Sequence, residues 1–521
     1  MTAATRVLGI LAASVLFAPA LALGAGHFDT IVDGQNDPAV DVPAVQAAVD
    51  AGGRVLLRGT FDFGEAVGEP YEFIPNPPAN WTYVNGPSHL PANGTLANSK
   101  NPAFWASPPR TVFVTTDVEI HGDDSTSVVG GYRTFTVGYR PLPGHELRYD
   151  MNTDDGHLGP TTATLNDYPI TPVRVTIANI HFVRSLNASI WLAATRDETR
   201  IFGNRFSDNR PLLERYWFGR QRANAVYTQG GVAAINFFTY LDTNVSAMQD
   251  VLPRSDGIDS RTGTAVQGDL IIADNVVETD VGGLLYFVSV GGDVSVTGNH
   301  VRGGLTPEQS VGAFGYFGHT VIRDNFVEGL LPMRVSEDSL GRNHPDTEAA
   351  GRTWSEGDWE RASTEISHNT LVSLGLGGLE VLISKNVEVR SNTVQASLFP
   401  GAWADAISLW RSHDSVVRSN RIRGSAIFGL DLAESTGNVL VGNDLNQFTP
   451  QPLFPFLPVV HLAFLFGADD NTAVGGGLNP KKITYLEFGS EGNVVTGFGP
   501  IAGQFSGLEG NVVADAMRRS R

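Results

Sequence analysis

Four stretches between Ile366 and Gln447 repeat one pattern: ISHNTLVS, VEVRSNTVQA, SVVRSNRIRG and VLVGNDLNQF. Each is an alternating apolar strand, an Asn and a second alternating strand. The Asn residues, Asn369, Asn392, Asn420 and Asn443, recur at nearly constant spacing. A strand-built period of roughly 20–30 residues with one Asn at a fixed place marks a parallel β-solenoid, in which each repeat is one turn. Asn179, Asn204, Asn275, Asn299 and Asn325 extend the register upstream, and Asn493 and Asn511 close it. Asn tolerates the left-handed conformation, and stacked amides ladder from turn to turn. These Asn residues are therefore expected to be architecture and not ligands.

The expected domain is all-β and runs over 26–515, with insertions at about 64–110, 140–172, 208–256, 333–363 and 446–482 and a tail at 516–521. The first of these holds Pro75, Pro77, Pro78, Pro108 and Pro109, which cannot donate to a strand ladder. Residues 1–25 read as a signal peptide: Arg6, an apolar run from Val7 to Phe17, then small residues ending at Ala25. That predicts a secreted or periplasmic protein with no membrane span after cleavage. With 55 Asp and Glu against 36 Lys and Arg the formal charge is −19, which argues against nucleic acid as a partner. There is no Cys, so the long core must hold the fold without disulfides.

Ahead of the repeats lies DVPAVQAAVDAGGRVLLRGTFDF. Ala44, Val45, Ala48 and Val49 have helical spacing, Asp41 is a candidate N-cap, Gly52-Gly53 stops the helix, and Arg54 to Phe63 alternates as a strand. A helix over the open end would protect its unpaired edge. Helix, Gly-Gly and strand together resemble the N-terminal cap of the pectin-lyase-like right-handed β-helix superfamily. The resemblance implies a single-stranded right-handed parallel β-helix of about ten or more turns, with a capping helix and long loops. It also implies carbohydrate activity on an outer face, as a polysaccharide lyase or glycoside hydrolase. The alternative is a non-catalytic exported scaffold that binds polysaccharide or acts at the cell surface. Polysaccharide is the expected partner in either case, and the chain is expected to be a monomer.

Twelve residues before three register Asn residues stand Glu380, Ser408 and Asp431, each flanked by apolar neighbours. Strand alternation turns the flanks inward and aligns these three on one exposed face. Shifted by one residue, earlier turns add Trp191 and Tyr286. Glu380 and Asp431 are expected two strands apart, about 9.6 Å between backbones, near the carboxyl separation of an inverting glycosidase. Polar residues are ordinary at outward strand positions, so the alignment is a candidate site and not a motif. Asp405, Trp410, Arg411 and His413 are expected on the same face, with Asp405 and Trp410 binding substrate beside Ser408. Arg411 or His413 would serve as base, or as stabiliser of an enolate-like intermediate, if the substrate is a uronate. A second candidate site is Arg254-Ser255-Asp256-Gly257-Ile258-Asp259, which resembles the Asn-Thr-Asp-Gly-x-Asp motif of polygalacturonases. Asp256, Gly257 and Asp259 match, whereas Arg254 and Ser255 stand where that family has Asn and Thr. Trp81, Trp105, Trp354 and Trp359 fall in expected loops and suit sugar faces. No cofactor or metal is expected, and no motif supports calcium.

Overall fold

Period-two alternation makes each strand apolar on one side, and parallel stacking lines up those sides into a continuous core. In Val387–Arg390 the two Val residues are buried while Glu388 and Arg390 face outward, partly exposed. A computed structural model of the chain describes residues 27–65, 110–138, 140, 171–186, 188–192, 194–209, 212–214, 220–222, 224–229, 268–279, 285–290, 292–303, 309–316, 318–336, 363–398, 404–452, 459–475, 485–497, 504–505 and 512–514. The segment 1–25 read as a signal peptide, the tail 516–521, Asp256, Asp259, Asn511 and the four Trp residues expected in loops lie outside the described residues. The strands form three long sheets of 15, 13 and 11 members, in which successive turns pair in parallel. The chain is a parallel β-helix. Its core is aromatic near the N-terminus, where Phe182 stacks on Phe206 at 5.1 Å between centroids. Further along it is mainly Val, Ile and Leu, with Phe448 and Phe464 toward the other end.

The helix Pro38–Ala51 forms where the spacing places it and packs on the strands Thr30–Asp33, Thr60–Asp62 and Val112–Val114. Its N-cap, however, is Asp37, whose side chain accepts from Ala39 N. Asp41 lies one turn in and is buried. It accepts hydrogen bonds from the backbone N–H groups of Gln35, Asp37 and Asp62, tying the helix to the first turn. Gly52, at φ 73°, ends the helix in a conformation that costs glycine little.

The Asn register is a buried amide ladder through Asn204, Asn275, Asn299, Asn325, Asn369, Asn392, Asn420 and Asn443. At each step the Oδ1 of one Asn accepts from both the backbone N–H and the Nδ2 of the Asn before it, as in Asn369 to Asn392 at 2.9 and 3.0 Å. Each Nδ2 also donates to a main-chain carbonyl, Asn392 to Ile366 O at 2.8 Å. Three expectations need correcting here. The left-handed residue is the one before each Asn: Gly203, Asp274, Gly298, Asp324, His368, Ser391, Ser419 and Gly442 all have positive φ, and the Asn residues of the ladder do not. Asn179 is itself such a residue, and Ile180 takes the ladder position ahead of Asn204. Asn493 belongs to a second ladder, Asn438–Asn471–Asn493, at another corner.

Several strands also run inside stretches read from the sequence as insertions. Asn224–Gln229 lies within 208–256, Leu331–Ser336 overlaps 333–363, and Leu462–Leu465 and Thr472–Val474 lie within 446–482. All four pair in register with their neighbouring turns.

Replacing Asn392 with Ala would orphan the Asn369 N–H and the Ile366 carbonyl inside the wall. A buried unsatisfied group costs about 1–3 kcal/mol, so Asn392→Ala should destabilise the protein by about 2–4 kcal/mol in denaturant unfolding. Asn446→Ala, at an exposed Asn bonded to Asp444, should change little. Equal effects at the two positions would refute the ladder as the source of stability.

Candidate functional site

The 13-stranded sheet carries one column of residues in strict backbone register. Trp191 pairs with Tyr227, Tyr227 with Tyr286, Tyr286 with Gly312, and Gly312 with Arg334. Arg334 pairs with Glu380, Glu380 with Ser408, Ser408 with Asp431, and Asp431 with Ala463. Glu380, Ser408 and Asp431 are thus neighbours through the backbone ladder itself, with Glu380 and Asp431 two strands, about 9.6 Å, apart. Tyr286 shares this column by its backbone.

The column is not a uniformly exposed face. Trp191 is fully buried, with the Arg133 guanidinium 3.9 Å from the centre of its ring. It therefore belongs to the packing outside the wall and not to an open surface. Asp431 is 3 % exposed. Beyond it the chain folds Ile427, Phe428, Val460, Ala463 and Leu465 into a small apolar cluster outside the main core. Asp431 lies next to that cluster through its register partner Ala463.

Between these two buried ends is a cavity of about 340 Å³, lined by Arg334, Glu380, Leu382, Ala404, Asp405, Ser408 and Trp410. Arg334 Nε donates to Glu380 Oε2 at 2.5 Å, with both side chains about a quarter exposed. Asp405 sits before the strand Ile407–His413 and accepts from Phe428 N at 3.1 Å. The turn at Gly377 crosses close above it. Gly377 has φ 104°, and a Cβ there would lie 2.7 Å from the Asp405 carbonyl oxygen, so a side chain would push that carbonyl away.

Asp431 lies behind Asp405 and Ser408, outside the cavity lining. The Ser408 hydroxyl donates to its Oδ2 at 3.2 Å. Among the described residues its buried Oδ1 meets no hydrogen-bond donor, so nothing there stabilises a charge on that oxygen. Burial first, then the negative charge of Asp405, push the Asp431 carboxyl well above the ordinary carboxylate range, against the opposing Ser408 bond. Glu380 adds to the rise, and a hydrogen bond to Asp405 favours the protonated form. Asp405 lies on the cavity side of Asp431, and its charge is one cause of that rise.

Arg411 and His413 do not join this group. The chain turns at Arg411, whose φ is 51°, and Ile383, Glu434 and Phe466 hold the same left-handed corner on other turns. Past the corner, Arg411 Nε donates to Glu434 Oε2 at 2.7 Å and its guanidinium lies 4.7 Å from the Trp410 ring centre. His413 is turned away and bonds Thr436 Oγ1 through Nδ1 at 2.8 Å. Trp410 itself is 36 % exposed, and its Nε1 donates to Glu434 at 3.4 Å.

Arg334 is the residue that sequence reasoning missed. Its 35-residue distance from the next register Asn defeats the count of twelve, because an insertion separates strand from Asn. The available signal was local: Arg334 stands between Met333 and Val335 as Glu380 stands between Leu379 and Val381. Among the described residues, no group of three or more His, Asp or Glu side chains is arranged to hold a metal ion. No described helix is long and apolar enough to cross a membrane.

The raised Asp431 carboxyl has a stability consequence of definite sign. The folded chain binds this proton more tightly than the unfolded chain. The group's contribution is thus fully present below the ordinary Asp value and is lost as pH rises through the folded one. Asp431→Asn removes the cost of ionisation, so its melting temperature should exceed that of the parent at pH 8 and converge with it near pH 4. A variant less stable at pH 8 than at pH 4, relative to the parent, would contradict a buried protonated Asp431.

No protein-family model matches the chain, and no curated protein is detectably similar in sequence. Among solved structures the chain is similar to the A-module of the mannuronan C-5 epimerase AlgE4 of Azotobacter vinelandii. The two are 11 % identical with a TM-score of 0.41, over 93 % of this chain and 100 % of that one. It is also similar to XylC in complex with xylose, at 9 % identity and a TM-score of 0.32 over 93 % and 85 % of the two chains. A tailspike protein of E. coli bacteriophage HK620 matches at 10 % identity and a TM-score of 0.34, over 89 % and 73 %. The likeness is one of fold.

Proposed function

We propose that this β-helix is an exported polysaccharide-active enzyme, and that its cavity hydrolyses a glycosidic bond. The observation that carries the reading is the unequal treatment of carboxyl groups converging from neighbouring turns. Glu380 is held by Arg334 at the solvated end, while burial and the charge of Asp405 favour a proton on Asp431 at the desolvated end. One wall thus offers a carboxylate and the other an acid, which is the division of labour that glycoside hydrolysis needs. Asp405, supplied with that proton by Asp431, protonates the glycosidic oxygen. Glu380 takes a proton from the attacking water as the C–O bond breaks, and a new reducing end is released. Glu380 and Asp405 come from adjacent turns, since Asp405 precedes Ser408, the register partner of Glu380, and both line the same cavity. Trp410 offers a partly exposed ring on which a sugar can stack.

Lyase action through Arg411 or His413 is disfavoured, since both lie beyond the corner and are engaged with Glu434 and Thr436. The non-catalytic alternative, a polysaccharide-binding scaffold, draws on Asp431 not lining the cavity itself. Incubation with a panel of neutral and uronate polysaccharides separates the readings. Reducing ends mark hydrolysis, unsaturated ends mark elimination, and binding without product marks a scaffold. Once a cleaved substrate is identified, Glu380→Gln and Asp405→Asn should each lower kcat by about 10²–10⁴-fold, the usual range for losing a general acid or base. His413→Ala should leave kcat unchanged, and comparable losses at all three positions would exclude this assignment.

A further inference from the structure

We infer that the cavity selects a neutral sugar unit and excludes a uronate. This rests on reading the cavity as a carbohydrate site, and it concerns which sugar is taken. Two consequences of the same lining point the same way.

The first is charge. Among the described residues, Glu380 and Asp405 line the cavity and Asp431 lies behind them, whereas Arg334 is the cation that lines it. Arg334 is already committed to Glu380 at 2.5 Å. The next cations along the wall are spent as well, Arg411 on Glu434 and Lys385 on Asp414 at 3.7 Å. Even with a proton on Asp431, the group keeps a negative charge. A sugar carboxylate entering here meets like charge in a half-buried space, where solvent screens it poorly.

The second is hydrogen-bonding capacity. An ionised Glu380 accepts only, and with a single proton between them Asp405 and Asp431 still offer more acceptors than donors. A ring bearing hydroxyl donors satisfies Glu380 and Asp405, with the Ser408 oxygen able to accept, while its apolar face lies on Trp410. The carboxylate of a uronate replaces a donor with two further acceptors. It leaves Glu380 and Asp405 facing lone pairs.

The test uses the full chain and matched glycans that differ only in oxidation of the primary alcohol: mannan with polymannuronate, galactan with polygalacturonate, and glucan with polyglucuronate, each as soluble fragments. Calorimetric titration at low salt should show a neutral member bound at least about tenfold more tightly than its uronate counterpart. The gap should narrow in higher salt and in Asp405→Asn, whose folding is checked by circular dichroism. A uronate bound as tightly as its neutral partner, or more tightly, overturns the inference. Release of reducing ends from that uronate would leave the hydrolase reading standing. Neutral binding without any product preserves the inference and removes hydrolysis, and binding of no pair removes both.

Discussion

The amide ladder is the interaction on which the rest of the structure depends. A stack of parallel strands has no hairpins to set its register, and a one-residue slip would turn every apolar side chain outward. Each ladder Asn fixes the next turn by two hydrogen bonds to the same Oδ1, one from main chain and one from side chain. Because the amides are buried and fully engaged, the arrangement tolerates no neighbouring register: a slip would strand donors and acceptors together. The tight bend before each Asn is met by Gly, Asp, Ser or His in the left-handed conformation, the short or polar side chains that accept it at least cost. Fixed register is what turns positions separated by 23 or 28 residues into contacts about 4.8 Å apart.

That register makes the cavity a consequence of the wall. Arg334, Glu380, Ser408 and Asp431 are successive members of one column, so their order along the rod is set by the ladder and not by loops. Their environments differ because the ends of the column differ. At one end Arg334 and Glu380 remain in contact with solvent and pair conventionally. At the other, Ala463 follows Asp431 in the column, and the apolar group around Phe428 and Val460 removes water from it. A carboxyl placed there is worth more to the fold protonated than ionised. The same side-chain chemistry, carried two strands along, becomes an acid instead of a carboxylate.

The repeat made the fold legible, because period, alternation and Asn position all express one backbone constraint. The column was legible for the same reason: Glu380, Ser408 and Asp431 each stand a constant distance before a ladder Asn. What the pattern did not convey is burial outside the wall. Alternation tells which side of a strand a residue occupies, and both Trp191 and Asp431 do point away from the core. Their covering comes from other segments, which carry no periodic signal. Arg334 escaped because counting back from the Asn fails wherever an insertion intervenes, although its apolar flanks mark it. Asn493 was misplaced because two ladders with the same residue run along different corners.

Trp410 and Arg411 show how far adjacency in sequence can mislead in a solenoid. They are consecutive, and a straight strand would put them on opposite faces. The left-handed conformation of Arg411 instead ends the cavity wall at Trp410 and starts the next side of the helix. The guanidinium then folds back over the indole, while Glu434, at the same corner one turn on, binds both. One ring face is covered by Arg411, and the ring borders the cavity with what remains exposed. Ile383 occupies the same corner one turn earlier, at φ 43°, a conformation that a β-branched residue adopts only under constraint. The corner is thus held in place by the packing of the stack. It keeps the ring in the wall of the cavity and the charge outside it.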